Sequence, residues 1–317
     1  YPALSANTAE CARPGNEDDE NEEQCLPEGS CRVTGGDQLG GVVLVDQSPI
    51  GRTPRSNPAV YIGAFDFLRD LFAEAPLAVQ RGLGQSAFSF NSSQGQCEKC
   101  RGAGFEKIEM QFLSDVFIRC SDCNGRRYRP HILEVTLASR VRGQEVSWSI
   151  ADLLEATVDD SIEFLGALNE SRAARKSIES LKVLQEVGLG YLRLGQPINT
   201  LSGGESQRLK LVSHLAEFAR AGQPNDSAKP TLFIFDEPTT GLHFQDVEVL
   251  LRALQKLVNA GHSLVVVEHN LDVIRAADWV IDLGPDAGDR GGRLVAQGTP
   301  AQIASTPESL TGQFLRE

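Results

Sequence analysis

Residues 231–243 read TLFIFDEPTTGLH, an apolar run that ends in two acids and a proline. The run predicts a buried strand, and the two acids then lie at its carboxyl end. At that position Asp236 is placed to hold Mg²⁺, and Glu237 to polarise a water that attacks a phosphate. An acidic pair after a strand is weak evidence alone, so its interpretation depends on the surrounding sequence.

A second signal is LSGGESQR at residues 201–208. Ser202, Gly203 and Gly204 come just before a predicted helix whose first turn holds Glu205. Backbone N–H groups and the positive end of the helix can therefore face a phosphate with no side chain in between. The alternative is a Gly-Gly turn in which Ser202 is an ordinary N-cap.

Strand and helix patterns alternate around these two stretches. Val42–Val45 reads as a buried strand that breaks at Asp46 and Gln47, and residues 263–269, SLVVVEH, read as a strand that His269 closes. The alternation predicts an α/β fold with a mainly parallel sheet flanked by helices. His269 is then in a position to reach a phosphate and Gln47 a metal or a water, although a structural histidine and a plain loop residue are the simpler interpretations.

The third stretch is CEKCRGAGFEKIEMQFLSDVFIRCSDCNGRR, residues 97–127. Its two Cys-x-x-Cys pairs, each followed by glycine, supply the four thiolates of a closed tetrahedral zinc site. The predicted ligands of a structural Zn²⁺ are Cys97, Cys100, Cys120 and Cys123. The alternatives are buried thiols that never meet, or a redox pair. The interior of the stretch has the apolar density of a folded hairpin or short helix.

Charge is distributed unevenly along the 317 residues, whose net charge is −13. Residues 1–37 hold nine acids and two arginines without a helix or strand period, which predicts a solvated, mobile arm. Residues 91–130 hold seven basic and five acidic residues. In this locally positive segment Arg126, Arg127 and Arg129 are candidates for DNA contact, with Tyr128 to pack on a sugar or base; a solvated face is the alternative.

The remaining cysteines and the apolar runs bear on the cellular compartment. Cys11, Cys25 and Cys31 show no ligand spacing and are expected to be free thiols. No apolar run approaches the ~18 residues of a membrane helix, and the N-terminus lacks a signal pattern, so a cytosolic protein without a membrane segment is expected.

In order along the chain, Gln47, LSGGE, FIFDEP and His269 resemble the Q-loop, signature, Walker B strand and switch histidine of ATP-binding cassette ATPases. A cysteine module between Q-loop and signature is not a feature of transporter cassettes. Together with VDQSPIGRTPRSNPAVYIG (45–63) and ADWVIDLGPDAGDRGGRLVAQGTP (277–300), it resembles the C-terminal cassette of the UvrA family of excinuclease components. The resemblance covers nearly all of the chain from about residue 38.

The resemblance implies a damage-sensing ATPase of bacterial nucleotide excision repair, a cytoplasmic protein of the SOS response. It implies a homodimer that binds damaged duplex DNA and hands the lesion to a UvrB-like partner subunit, with ATP, Mg²⁺ and Zn²⁺ as cofactors. The implied nucleotide-site residues are Gln47, Ser202, Gly203, Gly204, Glu205 and Asp236, with Glu237 as general base and His269 as sensor of the γ-phosphate. The four cysteines named above are the implied zinc ligands.

One departure from the family pattern concerns the phosphate loop. No G-x-x-x-x-G-K-[ST] motif (Walker A) occurs in the sequence. The chain opens at Tyr1 and its only methionine is Met110, so we expect an internal piece of a longer protein, with the phosphate loop upstream. We also expect that this chain alone does not hydrolyse ATP.

The predicted organisation has five parts. These are an acidic arm (1–37), the first part of the ATPase core with the Q-loop (38–90), a zinc-binding module (91–130), a helical signature subdomain (131–200) and the core with signature, Walker B and switch histidine (201–317). Two other functions compete with repair: a UvrA-like paralogue in drug resistance or export, and a DNA-binding piece whose cassette residues have become scaffold. A membrane partner would favour export, whereas the intact Asp236, Glu237 and His269 argue against a scaffold.

Overall fold

The computed structural model describes residues 35–48, 50–51, 53, 55–108, 116–221, 229–284 and 292–316. The chain forms two compact units. We call residues up to Asp46 together with Gln223–Glu317 the sheet unit, and Gln47–Gly222 the helical unit. Most of the predicted acidic arm, with Cys11, Cys25 and Cys31, lies outside the described residues.

The strands are β1 (Gly41–Val45), β2 (Phe105–Ile108), β3 (Val116–Arg119), β4 (Thr136–Val141), β5 (Gln144–Ser149), β6 (Thr231–Asp236), β7 (Ser263–Val267), β8 (Val280–Gly284) and β9 (Arg293–Gly298). The helices are α1 (Pro58–Tyr61), α2 (Ala64–Ala73), α3 (Pro76–Gln80), α4 (Pro130–Leu133), α5 (Ile150–Glu155), α6 (Val158–Gly166), α7 (Arg172–Gln185), α8 (Gly203–Ala221), α9 (Phe244–Asn259), α10 (Leu271–Ala276), α11 (Pro300–Ala304) and α12 (Leu310–Leu315). Short 3-10 turns lie at Gly36–Gln38, Gln85–Phe88 and Ile198–Thr200.

A three-stranded parallel sheet in the order β1-β6-β7 forms the centre of the sheet unit, as the alternating pattern predicts. Its register aligns Val43 with Phe233 and Phe233 with Leu264. The helix α9 links β6 to β7 and packs on β7. Its apolar residues recur at helical spacing, and the buried ones are Val247, Leu250, Ala253, Leu254 and Leu257.

Two further strands of the sheet unit, β8 and β9, are not paired with this sheet among the described residues. In the described part of the chain, β8 and β9 pair only with each other, antiparallel, with a bulge between Asp282 and Leu283. Ser309, which precedes α12, donates a hydrogen bond from its hydroxyl to Asp282. The carboxyl end of the chain is thereby fastened to β8.

The helical unit is built around α2 and α7, which pack against each other. Leu68 of α2 and Leu181 of α7 are fully buried. Residues 131–200, for which the sequence predicts a helical subdomain, contain α5, α6 and α7 and also the antiparallel β4–β5 hairpin. Trp148 of that hairpin stacks on Phe164 of α6 with ring centroids 4.5 Å apart. Among the described residues, none of the helices has the length and apolar character needed to cross a membrane.

Between the two cysteine pairs, the described residues form β2 and β3, which pair antiparallel as in a hairpin, one of the two structures that the apolar density of the stretch predicts. Phe105 lies opposite Arg119, so the hairpin brings the ends of the stretch together. The backbone N–H of Cys97 donates to the Arg127 carbonyl at 2.8 Å and closes the loop. Both cysteine pairs therefore lie at the base of one closed hairpin.

Candidate functional site

The sulfur atoms of Cys97, Cys100, Cys120 and Cys123 meet in one buried cluster. All four lie within 4.8 Å of one another; the Cys97–Cys120 distance is 4.0 Å and the Cys100–Cys123 distance is 3.7 Å. Four Zn–S bonds of about 2.3 Å in a tetrahedron require sulfur–sulfur edges of roughly 3.8 Å, whereas a disulfide brings two sulfurs to about 2.05 Å. The cluster therefore fits Zn²⁺, and the alternative of thiols that never meet does not hold.

Each Cys-x-x-Cys pair turns back through left-handed backbone. Gly102 has φ +80°, and a Cβ at this position would lie 1.7 Å from the carbonyl oxygen of Phe90, so the turn requires glycine. Gly104 donates its N–H to the sulfur of Cys100 at 3.3 Å. Asn124 and Gly125 repeat the turn after the second pair, with φ of 49° and 85°. The glycines that follow each Cys-x-x-Cys pair in the sequence thus allow the backbone turn after that pair.

The thiols of the cluster differ in acidity. Burial raises the pKa of Cys123 to about 12 and also raises the pKa of Cys100. Burial opposes ionisation of Cys120 as well, but the backbone N–H groups of Cys123 and Asp122 donate to its sulfur, and the net effect lowers its pKa. A cation that binds here has to displace protons from the high-pKa thiols, so metal binding is linked to proton release.

The predicted acidic pair lies at the carboxyl edge of the parallel sheet. Asp236 ends β6, and Glu237 continues the pairing by donating its N–H to the Val267 carbonyl at 2.9 Å. Glu237 has φ +45°, a conformation that is uncommon for a residue other than glycine. Such strain costs about 1–3 kcal/mol and occurs mainly where function or surrounding contacts require it.

His269 follows β7 at the same edge. Its Nε2 lies 3.8 Å from Oε1 of Glu237, and the histidine side chain is 86% exposed. The Thr240 hydroxyl donates to Oε2 of Glu237 at 3.2 Å and fixes the other carboxylate oxygen. The parallel register therefore brings Asp236, Glu237 and His269 together at an edge that is open to solvent.

The predicted signature residues open α8 in the helical unit. Ser202 donates its N–H to Oε2 of Glu205 at 2.8 Å, and Glu205 donates its N–H to the Ser202 hydroxyl at 3.3 Å, which is a reciprocal cap. In this structure the Ser202 hydroxyl is therefore an N-cap of α8, which is the alternative interpretation that the sequence allows. Oε1 of Gln47 lies 2.9 Å from the place that a Cβ on Gly203 would occupy, so Gln47 and the signature are neighbours within this unit.

Tyr191 joins this group although no sequence pattern marks it. Its hydroxyl donates to Oε1 of Glu205 at 2.8 Å, from 14 residues earlier in the chain, and Nη2 of Arg208 reaches the same hydroxyl at 3.4 Å. Burial opposes ionisation of Glu205, but the hydrogen bonds from Ser202 and Tyr191 outweigh it and lower the pKa of this carboxyl. Tyr191 therefore helps to hold Glu205 as the carboxylate that caps the signature.

Two of the predicted DNA-contact side chains lie in the core. Tyr128 is 1% exposed and its hydroxyl donates to the Phe88 carbonyl at 2.9 Å, so the prediction that it packs on a sugar or base is wrong. Arg127 is 4% exposed, lies 5.1 Å from the Phe90 ring centre and donates to the Gly195 carbonyl. After the second cysteine pair, the side chains of Arg127 and Tyr128 therefore point into the core and pack there against Phe90 and Phe88.

The other two arginines hold the base of the module from outside. Arg126 pairs with Asp152 and donates to the Ser149 hydroxyl at 3.1 Å. Arg129 donates to the Ser93 carbonyl at 2.9 Å. Each side chain keeps 35% of its surface exposed, so a DNA contact by Arg126 and Arg129 stays a prediction.

A parallel sheet that ends in Asp-Glu beside a histidine, and a helix that opens at Ser-Gly-Gly-Glu, define the cassette of ATP-binding cassette ATPases, here with an inserted four-cysteine hairpin. No family model matches the chain. UvrABC system protein A of Thermus thermophilus is 53% identical to it over 283 residues, which are 89% of this chain and 27% of the relative. The protein of the same name from Rhizobium meliloti is 49% identical over 286 residues, 90% of this chain and 27% of the relative.

A solved structure agrees with these relatives. The crystal structure of UvrA2 from Deinococcus radiodurans matches with a TM-score of 0.72 and 49% identity, over 88% of this chain and 32% of that one. The predicted resemblance to the UvrA family is therefore confirmed, as is the predicted α/β cassette fold. The chain spans about 27% of the length of these two curated relatives.

Proposed function

We propose that this chain is part of a UvrA-like ATPase of nucleotide excision repair, which couples ATP binding and hydrolysis to recognition of damaged duplex DNA and to handover to a UvrB-like partner subunit. The observation that carries the proposal is the meeting of Asp236, Glu237 and His269 at one sheet edge, in a chain that places a four-cysteine cluster between Gln47 and the signature. The high identity to relatives named UvrABC system protein A supports the same function.

The proposed roles follow from position and chemistry. Asp236, exposed at the strand end, holds Mg²⁺ through its carboxylate, and Glu237 accepts a proton from the attacking water. His269, 3.8 Å from Glu237, contacts the γ-phosphate. When bound at these residues, ATP would supply the phosphoryl group and Mg²⁺ would offset part of the charge on its phosphates.

The signature serves a different nucleotide. In cassette ATPases it caps ATP that is bound to an opposing cassette, and we propose this role for Ser202, Gly203, Gly204 and Glu205, with Gln47 as the Q-loop residue beside them. Gly203 and Gly204 have no side chains of their own, so a phosphate can approach their backbone at the start of α8. The N–H groups of Ser202 and Glu205 are already bonded in the reciprocal cap. A homodimer would supply the opposing cassette.

The remaining parts of the proposal concern the metal, the DNA and the isolated chain. Zn²⁺ held by the four cysteines is structural, because the closed set of thiolates leaves no position for a substrate. The locally basic cysteine module, through Arg126 and Arg129, contributes to DNA contact. This chain alone does not hydrolyse ATP, because its sequence holds no phosphate loop to bind the β- and γ-phosphates.

The test uses the full-length protein that contains this segment. We measure ATP hydrolysis with no DNA, with intact duplex and with lesion-containing duplex, for the wild type, Glu237→Gln and the matched control Glu308→Gln, an exposed residue of the same unit. We expect a rate that responds to the lesion, a loss of about 100-fold or more for Glu237→Gln at this site, and a change below about twofold for the control.

Two results would contradict the proposal. If the Glu237→Gln variant hydrolysed ATP at the wild-type rate, Glu237 would not be the general base. A rate of ATP hydrolysis that does not change with DNA but changes with a co-purifying membrane partner would instead favour the paralogue in drug resistance or export.

A further inference from the structure

The carboxylate of Glu268 links the two loops that carry the proposed catalytic groups. Oε1 of Glu268 accepts the backbone N–H of Thr239 at 2.7 Å, two residues after Glu237. Oε2 accepts the N–H of His269 at 2.8 Å and the N–H of Asn270 at 3.1 Å. One half-buried side chain therefore fastens the turn after β6 to the turn after β7.

This link acts where the backbone is strained. Glu237 has φ +45°, and a conformation of this kind persists only where its surroundings fix it. The N–H of Glu237 is bonded to the Val267 carbonyl on one side, and the turn that follows is fixed at Thr239 by Glu268 on the other. Hydrogen bonds to an ionised acceptor are stronger than those between neutral groups, so the carboxylate suits this role better than an amide.

We propose that Glu268 is a positioning residue for ATP hydrolysis, which holds the carboxylate of Glu237 and the imidazole of His269 in register; this inference rests on the function proposed above. Glu268 itself need not touch the nucleotide, since both of its oxygens are turned to backbone N–H groups. Its loss would free the Thr239 turn and the start of the His269 loop together. Glu237 and His269 would then spend less time in the productive geometry, whereas Asp236, the proposed Mg²⁺ residue at the end of β6, would stay in place.

The experiment measures kcat and KM for ATP in the full-length protein for Glu268→Ala, Glu268→Gln and the control Glu308→Gln. We expect Glu268→Ala to lower kcat at least tenfold while KM changes less than threefold. Glu268→Gln keeps one acceptor oxygen and should fall between Glu268→Ala and the wild type. A kcat within twofold of the wild type for both variants, or a KM that rises as much as kcat falls, would overturn the inference.

A double-variant cycle separates a positioning role from general damage to the fold. Under single-turnover conditions Glu268→Ala should add less than twofold to the loss already caused by Glu237→Gln, because its effect passes through Glu237. A full additional tenfold loss would show that Glu268 acts independently and would overturn the inference. If Glu268→Ala does not fold, the same cycle with the near-isosteric Glu268→Gln decides.

The proposed function and this inference can fail separately. If Glu237→Gln keeps wild-type turnover, the function assigned to this edge is wrong and the role of Glu268 falls with it. If Glu237→Gln loses turnover while both Glu268 variants keep it, only the positioning role is wrong.

Discussion

The four cysteines of the cluster are at most 9% exposed, whereas the side chain of His269 at the sheet edge is 86% exposed. All four sulfur atoms of the cluster come from the two cysteine pairs that flank β2 and β3. The sheet edge presents Asp236, Glu237 and His269 to solvent and holds them through backbone contacts. The first arrangement is complete within a short stretch, whereas the second leaves its side chains open to solvent.

This difference predicts how each region responds to substitution. A buried, self-contained cluster contributes to the stability of its own segment, so substituting one of the four cysteines should cause a local loss of structure. An exposed edge contributes little to stability, so changing its side chains should be felt in catalysis alone. The contrast would be wrong if substitutions at the sheet edge unfolded the protein, or if substitutions in the cysteine cluster changed catalysis without a loss of structure.

The largest expected effect is that of Asp236→Asn in the full-length protein. Because Asp236 is exposed at the end of β6, we expect the thermal midpoint to stay within about 2 °C of the wild type. ATP turnover at this site should fall about 100-fold or more, since the amide no longer supplies a negative charge to Mg²⁺. Steady-state hydrolysis over a range of magnesium concentrations measures it.

Asp278→Asn is the matched control for Asp236→Asn, because it makes the same change at an exposed position of the same unit. It should change turnover by less than about twofold, as is usual for an isolated surface position. If Asp236→Asn instead unfolds the sheet unit while Asp278→Asn does not, the edge is part of the structural core and the contrast with the cluster disappears.

The second effect concerns the cluster and uses this chain itself. Cys120→Ser should reduce the zinc content at least tenfold from about one ion per chain, because a serine hydroxyl is a poor replacement for a buried thiolate. Proteolysis should then cut within residues 97–127 first, while the sheet unit stays protected. Elemental analysis of protein purified without chelator gives the zinc content.

Cys25→Ser serves as the control for Cys120→Ser, because Cys25 shows no ligand spacing in the sequence. It should retain the full zinc content. Loss of zinc in Cys25→Ser, or retention in Cys120→Ser, would contradict the assignment of the ligands.

The same contrast explains what the sequence could predict. Spacing alone identified the four cysteines, because a Cys-x-x-Cys pair fixes its own geometry locally. The sequence predicts that Asp236 and His269 each end a strand, and the parallel pairing of β6 with β7 in the structure places them at one edge. Glu268 and Tyr191 were missed because Glu268 contacts backbone N–H groups and Tyr191 contacts Glu205 of α8, 14 residues away, and no residue pattern encodes such contacts. Local charge was also misleading, since it did not reveal that Arg127 and Tyr128 turn into the core.

The smallest effect tests whether the predicted signature, like the sheet edge, depends on a supporting residue outside its own motif. Tyr191→Phe removes the hydroxyl that donates to Glu205 at 2.8 Å and leaves the ring in place. A single hydrogen bond has a net worth of about 0.5–1.5 kcal/mol, so ATP turnover in the full-length protein should fall about two- to tenfold, with no change in zinc content. Tyr61→Phe, elsewhere in the helical unit, is the matched control and should leave turnover unchanged. Equal losses in the two variants would mean that the Tyr191 hydroxyl does not act through the signature, and loss of zinc in Tyr191→Phe would show that the cysteine cluster and the signature are not independent.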